Sequence, residues 1–109
     1  LGGYVNRILR VNLSNGELSE EPIDWDTTAS FIGGRGYGAK ILYDELKPGT
    51  NPLGPENKLI FLTGPLTGTA APTSGRFSVS TKSPATGTIF DANSGGYWGT
   101  ELKRAGFDG

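Results

Sequence analysis

The sequence predicts an α+β fold, a mostly β sheet with two or three short helices, and three observations lead there. Residues 76–82 alternate strictly, with Phe77, Val79 and Thr81 on one face and Arg76, Ser78, Ser80 and Lys82 on the other, which is the period of a strand. Lys58 to Thr63 holds an apolar run, Leu59-Ile60-Phe61-Leu62, of the kind expected in a central buried strand. Ile41, Leu42 and Leu46 follow helical spacing, and Pro48-Gly49 stops them, so Tyr37 to Leu46 is predicted as a helix.

The remaining elements follow in order. Tyr4 to Leu13 is predicted as a strand, with Val5, Leu9, Val11 and Leu13 marking one face. Ser14-Asn15-Gly16 signals a tight hairpin, because Asn-Gly tolerates positive φ at both central turn positions. Glu17 to Ile23 returns as a more polar strand. Asp24 or Asp26 caps a short helix that runs to about Ile32, and Gly33-Gly34-Arg35-Gly36 breaks it. Residues 50–57 form a loop, and Gly64 to Gly75 a longer one of small residues. Beyond the alternating strand, Ser83 to Gly87 turns the chain into a short strand, Thr88 to Ala92. Asn93-Ser94-Gly95-Gly96 then leads into a helix over about 97–105, with Gly106 as its C-cap.

Composition narrows the chemistry. The chain has 109 residues, 18 glycines, 7 prolines and a net charge of −1. Without a basic field, neither nucleic acid nor an anionic membrane is an expected partner. No apolar stretch approaches the roughly 18 residues that span a bilayer. The first ten residues hold no signal-peptide core, which points to the cytoplasm. The missing initiator Met points to a trimmed or partial chain. There is no cysteine and no histidine, so thiolate nucleophiles, cysteine-ligated clusters and zinc sites, histidine-based metal sites and triads are all excluded.

Three local constellations remain. Asn93-Ser94-Gly95-Gly96 between a strand and a helix can present backbone N–H groups to an anion, and the Asn93 carbonyl oxygen to a hard cation such as Mg²⁺; the same tetrapeptide also suits a plain strand-to-helix cap. Arg76, after the Gly-rich loop, can give bidentate hydrogen bonds to a phosphorylated or planar ligand, or simply be solvated. Gly34-Arg35-Gly36-Tyr37-Gly38-Ala39 formally matches a dinucleotide fingerprint, but follows a predicted helix where that motif needs a strand; a helix–loop–helix corner is the competing reading.

Taken in order, longer stretches resemble one family. They are Arg7 to Leu13 with Gly16-Glu17, Phe31 to Gly36, Ala39 to Leu46, Asn51 to Ile60, Thr63 to Thr69 and Ala71 to Arg76. Thr81 to Pro84, Asn93 to Gly96 and Glu101 to Gly106 continue the match. Together they resemble the start of the aldehyde:ferredoxin oxidoreductases, tungsten-pterin enzymes that oxidise aldehydes to carboxylic acids and pass electrons to ferredoxin. The resemblance implies that residues 1–109 are part of an N-terminal tungstopterin-binding domain, one half of a base with an approximate twofold axis. It implies a tungsten bis-pterin cofactor with magnesium, whose dithiolene sulfurs hold the metal, so that a cysteine-free segment still fits. Carried over, Arg76 lies against the pterin, Asn93 helps hold the Mg²⁺ that bridges the pterin phosphates, and Ser94, Gly95 and Gly96 complete the turn that meets the ligand. The [4Fe–4S] cluster of that family has no ligand in this chain. The remainder of the enzyme and ferredoxin are the implied partners, and no turnover is expected from these residues alone. A half-base leaves a sheet face or edge uncovered, so self-association as a cofactor-free homodimer is one alternative. A generic phosphate or nucleotide binder using Gly34 to Ala39 is the other.

Overall fold

The computed structural model describes residues 2–109, with Leu1 outside the described residues. It is an α+β unit of two small antiparallel sheets and three helices. The first sheet is the hairpin of β1 (Arg7–Asn12) and β2 (Glu17–Pro22), with Val11 opposite Leu18 and Asn12 opposite Glu17. Its loop has four residues, and only Gly16 takes a positive φ, 75°. The two-residue turn expected at Asn15-Gly16 is therefore not formed. Asparagine side chains close the loop instead: Asn12 Oδ1 accepts from the Ser14 N–H and Asn15 Oδ1 from the Glu17 N–H, at 3.0 and 2.9 Å.

Asp24 settles the choice of cap. Its carboxylate accepts from the Thr27 N–H at 2.9 Å and opens α1 (Trp25–Phe31), and this bond with the Thr27 hydroxyl contact lowers its pKa. The chain then reverses over a single residue. Ile32 sits at φ 67°, ψ −66°, and the Gly33 N–H reaches back to the Phe31 carbonyl at 2.7 Å, a γ-turn of the strained hand. The next helix, α2 (Gly34–Glu45), begins three residues before the expected start. The first helix ends before Gly33, as expected, but Gly34 and Gly36 then lie inside α2, where glycine lets the helix touch its neighbours. A Cβ at Gly36 would lie 2.8 Å from the Phe31 carbonyl oxygen, and one at Gly38 2.6 Å from Ser80 Oγ.

The second sheet has the order β3-β4-β5: β3 (Ile60–Leu62), β4 (Phe77–Lys82) and β5 (Ile89–Ser94). The apolar run around β3 is thus an edge strand and not a central one. Only Leu62 of it is buried, while Leu59 is 62% exposed. On β4 the serines Ser78 and Ser80 are the buried residues. Helix α2 lies on that face, and only small side chains permit so close an approach. The opposite face, with Phe61 and Phe77, meets Trp98 of α3 (Trp98–Arg104) in a cluster of three rings that stays partly open to solvent.

Residues 107–109 fasten the two sheets together. The Asp108 N–H donates to the Arg7 carbonyl at 2.7 Å, and the Asp108 carbonyl accepts from the Thr63 N–H at 2.9 Å. The Asp108 carboxylate is buried and receives the Val5 and Asn6 N–H groups as well as the Lys103 ammonium, 3.2 Å away. Between hairpin and sheet, under α2, lies the core of Ile8, Ile23, Tyr37 and Leu62, flanked by Tyr4, Ile41 and Ile60. On the outside Arg10 joins the hairpin to α2, bonding Glu21 at 2.8 Å and Glu45 at 2.7 Å.

Candidate functional site

The end of the three-stranded sheet where β4 begins and β5 ends gathers most of the residues singled out from the sequence. Antiparallel register sets Phe77 opposite Ser94 and Ser78 opposite Asn93. Gly75 and Arg76 directly precede Phe77 on one strand, and Gly95 and Gly96 directly follow Ser94 on the other. The backbones touch there: a Cβ at Gly75 would lie 2.7 Å from the Gly96 carbonyl oxygen. Only glycine at 75 allows that approach. Arg76 and the 93–96 segment therefore occupy one end of one sheet.

The segment differs from the expected turn in one respect. Asn93 and Ser94 are the last residues of β5, and the helix opens later, with Tyr97 as N-cap and no side-chain cap bond. Asn93 does not cap the helix. Its side chain belongs to the α2 face of the sheet, because cross-strand partners share a face and Ser78 is turned toward α2. Only Gly95 and Gly96 form the turn. Gly96 has φ 89°, and a Cβ at either glycine would meet nothing within 4 Å, so open space lies against this backbone.

The loop before β4 fixes the position of Arg76. The Thr67 hydroxyl is buried; it accepts from the Gly64 N–H at 3.0 Å and donates to the Arg76 carbonyl at 3.1 Å. The Gly68 N–H donates to the Ser74 carbonyl at 2.9 Å. Helix α3 then closes on the loop through Gly99, where a Cβ would lie 3.1 Å from the Thr67 methyl and 3.4 Å from the Gly75 carbonyl oxygen. The result is an arginine with a fixed backbone and an exposed side chain. Among the described residues its guanidinium has no hydrogen-bond or ion-pair partner.

An arginine without a counter-ion, a side-chain amide and glycine N–H groups beside open space form a donor set that fits a phosphate-bearing ligand. The Asn93 carbonyl oxygen fits a hard cation held with that ligand. No cluster of three or more acidic side chains that could hold a metal occurs among the described residues, and a sequence without cysteine or histidine has no thiolate or imidazole to offer. The third motif, Gly34 to Ala39, lies inside α2 and follows α1, so the strand–loop–helix geometry of a dinucleotide site is not formed. Neither the fastening of Asp108 to Val5 and Asn6 nor the cluster of Phe61, Phe77 and Trp98 has a local signal in the sequence, since each joins residues far apart in the chain.

This fold and site define a small α+β unit that presents an arginine, an asparagine and glycine N–H groups at one end of a sheet. Residues 8–109 match the family "Aldehyde ferredoxin oxidoreductase, N-terminal domain", and the chain belongs to that family. It is 57% identical over 106 residues to the tungsten-containing aldehyde ferredoxin oxidoreductase of Pyrococcus horikoshii and 53% identical to that of Pyrococcus furiosus. Each match covers 97% of this chain and 18% of the relative. It is also 38% identical to the WOR-like subunit of an aliphatic sulfonate oxidoreductase of Pyrococcus furiosus, over 97% of this chain and 17% of that one. Among solved structures, a chain of the active-site complex BamBC of benzoyl coenzyme A reductase, in complex with 1,5-dienoyl-CoA, superposes with a TM-score of 0.94. Its identity is 40%, over 97% of this chain and 16% of that one. The chain thus spans less than a fifth of the length of these relatives. Among the described residues no helix is long and apolar enough to cross a membrane.

Proposed function

We propose that this chain cradles a tungsten bis-pterin cofactor, with Arg76, Asn93, Ser94, Gly95 and Gly96 as its contacts to the pterin and its phosphates. The observation that carries the reading is the juxtaposition of Gly75–Arg76 with Gly95–Gly96 at one end of the sheet, beside open space. The names of the relatives add support. They carry an aldehyde, a sulfonate and a coenzyme A thioester as substrates, while sharing this segment. A segment shared across such different substrates suits a cofactor-holding role better than a substrate pocket.

The roles divide by chemistry. Arg76 offers planar, bidentate donors to a ring or a phosphate. Asn93 would supply a side-chain oxygen to a Mg²⁺ held with the phosphates. Gly95 and Gly96 let an anion approach the backbone closely. When bound, the cofactor supplies two-electron redox chemistry at tungsten. This chain's part is to orient it and to neutralise its phosphates. Parent activity is aldehyde oxidation to a carboxylic acid with electrons passed to ferredoxin, carried by polypeptide outside these residues, which also provides the [4Fe–4S] ligands.

Metal content tests the reading. With Arg76→Ala or Asn93→Ala, tungsten per polypeptide measured by plasma mass spectrometry falls about tenfold or more, the scale of a lost charge-assisted hydrogen bond. Tungsten retained at the unsubstituted level in both variants contradicts it.

A further inference from the structure

We infer that Arg35, in the glycine-rich start of α2, is a second guanidinium for the phosphates at this site. The inference rests on the cofactor-cradling reading and adds a binding residue to it.

Helix α2 runs over the sheet parallel to β4. Its N-terminal end is fixed at Ser78, where a Cβ at Gly34 would lie 3.0 Å from Ser78 Oγ; one turn later Gly38 stands over Ser80. Ser78 is the cross-strand partner of Asn93. The level of the helix at Gly34–Arg35 is therefore the level of Asn93 on the sheet.

The flank on which Arg35 sits follows from helical spacing. Residues 35 and 42 fall on one stripe of α2, seven residues apart, and Leu46 is the residue at its C-terminal cap. Leu42 and Leu46 line a groove with Lys82, Thr88 and Ile89, so this stripe is the one turned toward β5. Tyr37 marks the opposite flank, packed with Ile8, Ile23 and Leu62. Arg35 consequently stands on the β5 side, over the end of that strand, where Asn93 shares its face of the sheet. Arg76, two residues before Ser78 on β4, has the same strand parity.

Charge supports the placement. Arg35 is exposed, and among the described residues its side chain has no hydrogen-bond or ion-pair partner. Arg7, Arg10 and Arg104 each meet a carboxylate. The two arginines left without a counter-ion are thus the two at this end of the sheet. The acidic side chain on the same face of β5 is Asp91, opposite Ser80 and one rung farther from the open end. Two guanidiniums flanking one asparagine suit a ligand with two phosphate groups and a bridging Mg²⁺.

The probe is Mg²⁺ with inorganic pyrophosphate, titrated calorimetrically into the intact chain and its variants. Arg35→Gln is expected to raise Kd about tenfold, and Arg35→Lys, which keeps the charge but not the fork, by a smaller factor. Lys47→Gln, at the far end of α2, is expected to leave Kd unchanged. Binding by Arg35→Gln at unsubstituted strength overturns the role of Arg35 while leaving the Arg76–Asn93 site standing. An equal loss in Lys47→Gln also overturns it, since net charge then explains the effect. Failure of the unsubstituted chain to bind removes both the site and the inference. Should Arg35→Gln melt earlier than the parent, the Arg35→Lys affinity decides.

Discussion

Two side chains show how single residues hold the parts of this molecule in place. Arg10 lies between strand and helix, with Glu21 on one side and Glu45 on the other, and both hydrogen bonds hold its pKa above the ordinary arginine value. The Arg10 hydrogen bond holds the Glu45 carboxyl below its ordinary value of 4.5 against a partial loss of solvation, with Lys58 adding a weaker pull from 3.6 Å. A depressed carboxylate pKa means that the unfolded state binds the proton more readily. The stabilisation is complete above the unfolded value and drains away as the pH falls from about 4.5 through the folded value. Glu45→Gln therefore lowers stability by roughly 0.5–1 kcal/mol at pH 7, a partly solvated pair being worth no more, and has less effect near pH 3. Urea midpoints at the two pH values check this; an equal deficit at both contradicts it.

At the scale of elements, the close seat of α2 on β4 decides where the site lies. Gly34 and Gly38, four residues apart, meet Ser78 and Ser80, two apart on the strand. Gly38→Ala pushes a methyl group to 2.6 Å from Ser80 Oγ and 3.0 Å from Ser80 Cβ. Although alanine favours a helix by about 1 kcal/mol, the overlap is expected to dominate and destabilise the fold by roughly 1–3 kcal/mol. Thermal melts of the variant measure the loss, and a rise in Tm contradicts the packing described.

Local signals made most of these elements legible in the sequence. Asp24 is a cap because a carboxylate can reach the Thr27 N–H, and 76–82 is a strand because its period is two. Which face of β4 is covered was not legible. Hydrophobicity marks Phe77, Val79 and Thr81 for burial, yet the serine face is covered, because a helix rich in glycine needs small neighbours. The paired spacing of Gly34/Gly38 with Ser78/Ser80 was the available signal. Likewise the edge position of β3 depends on which strands it pairs with, and no residue of the run itself encodes that. Arg76 and Asn93–Gly96 were singled out in the sequence, first by their chemistry and then by the family resemblance, and the structure adds only that they share one end of a sheet. Arg35 was not, since its motif pointed to a different geometry and only the seat of α2 brings it to β5.

For the whole molecule, binding groups and apolar surface are segregated. One end of the sheet gathers Arg76, Asn93 and the glycine turn. One face leaves Phe61, Phe77 and Trp98 only partly covered, with Phe90 54% exposed on the same side. This open face and open end belong to a chain that spans 18% of the length of its tungsten-containing relatives. The most direct measurement is a map of backbone amide shifts by ¹⁵N NMR as Mg²⁺ and pyrophosphate are added. A binding end built from these residues predicts that the largest shifts fall on Arg35, Arg76, Asn93, Ser94, Gly95 and Gly96, with the hairpin loop at Gly16 unmoved. Shifts spread evenly over the surface, or centred away from that end of the sheet, would contradict it.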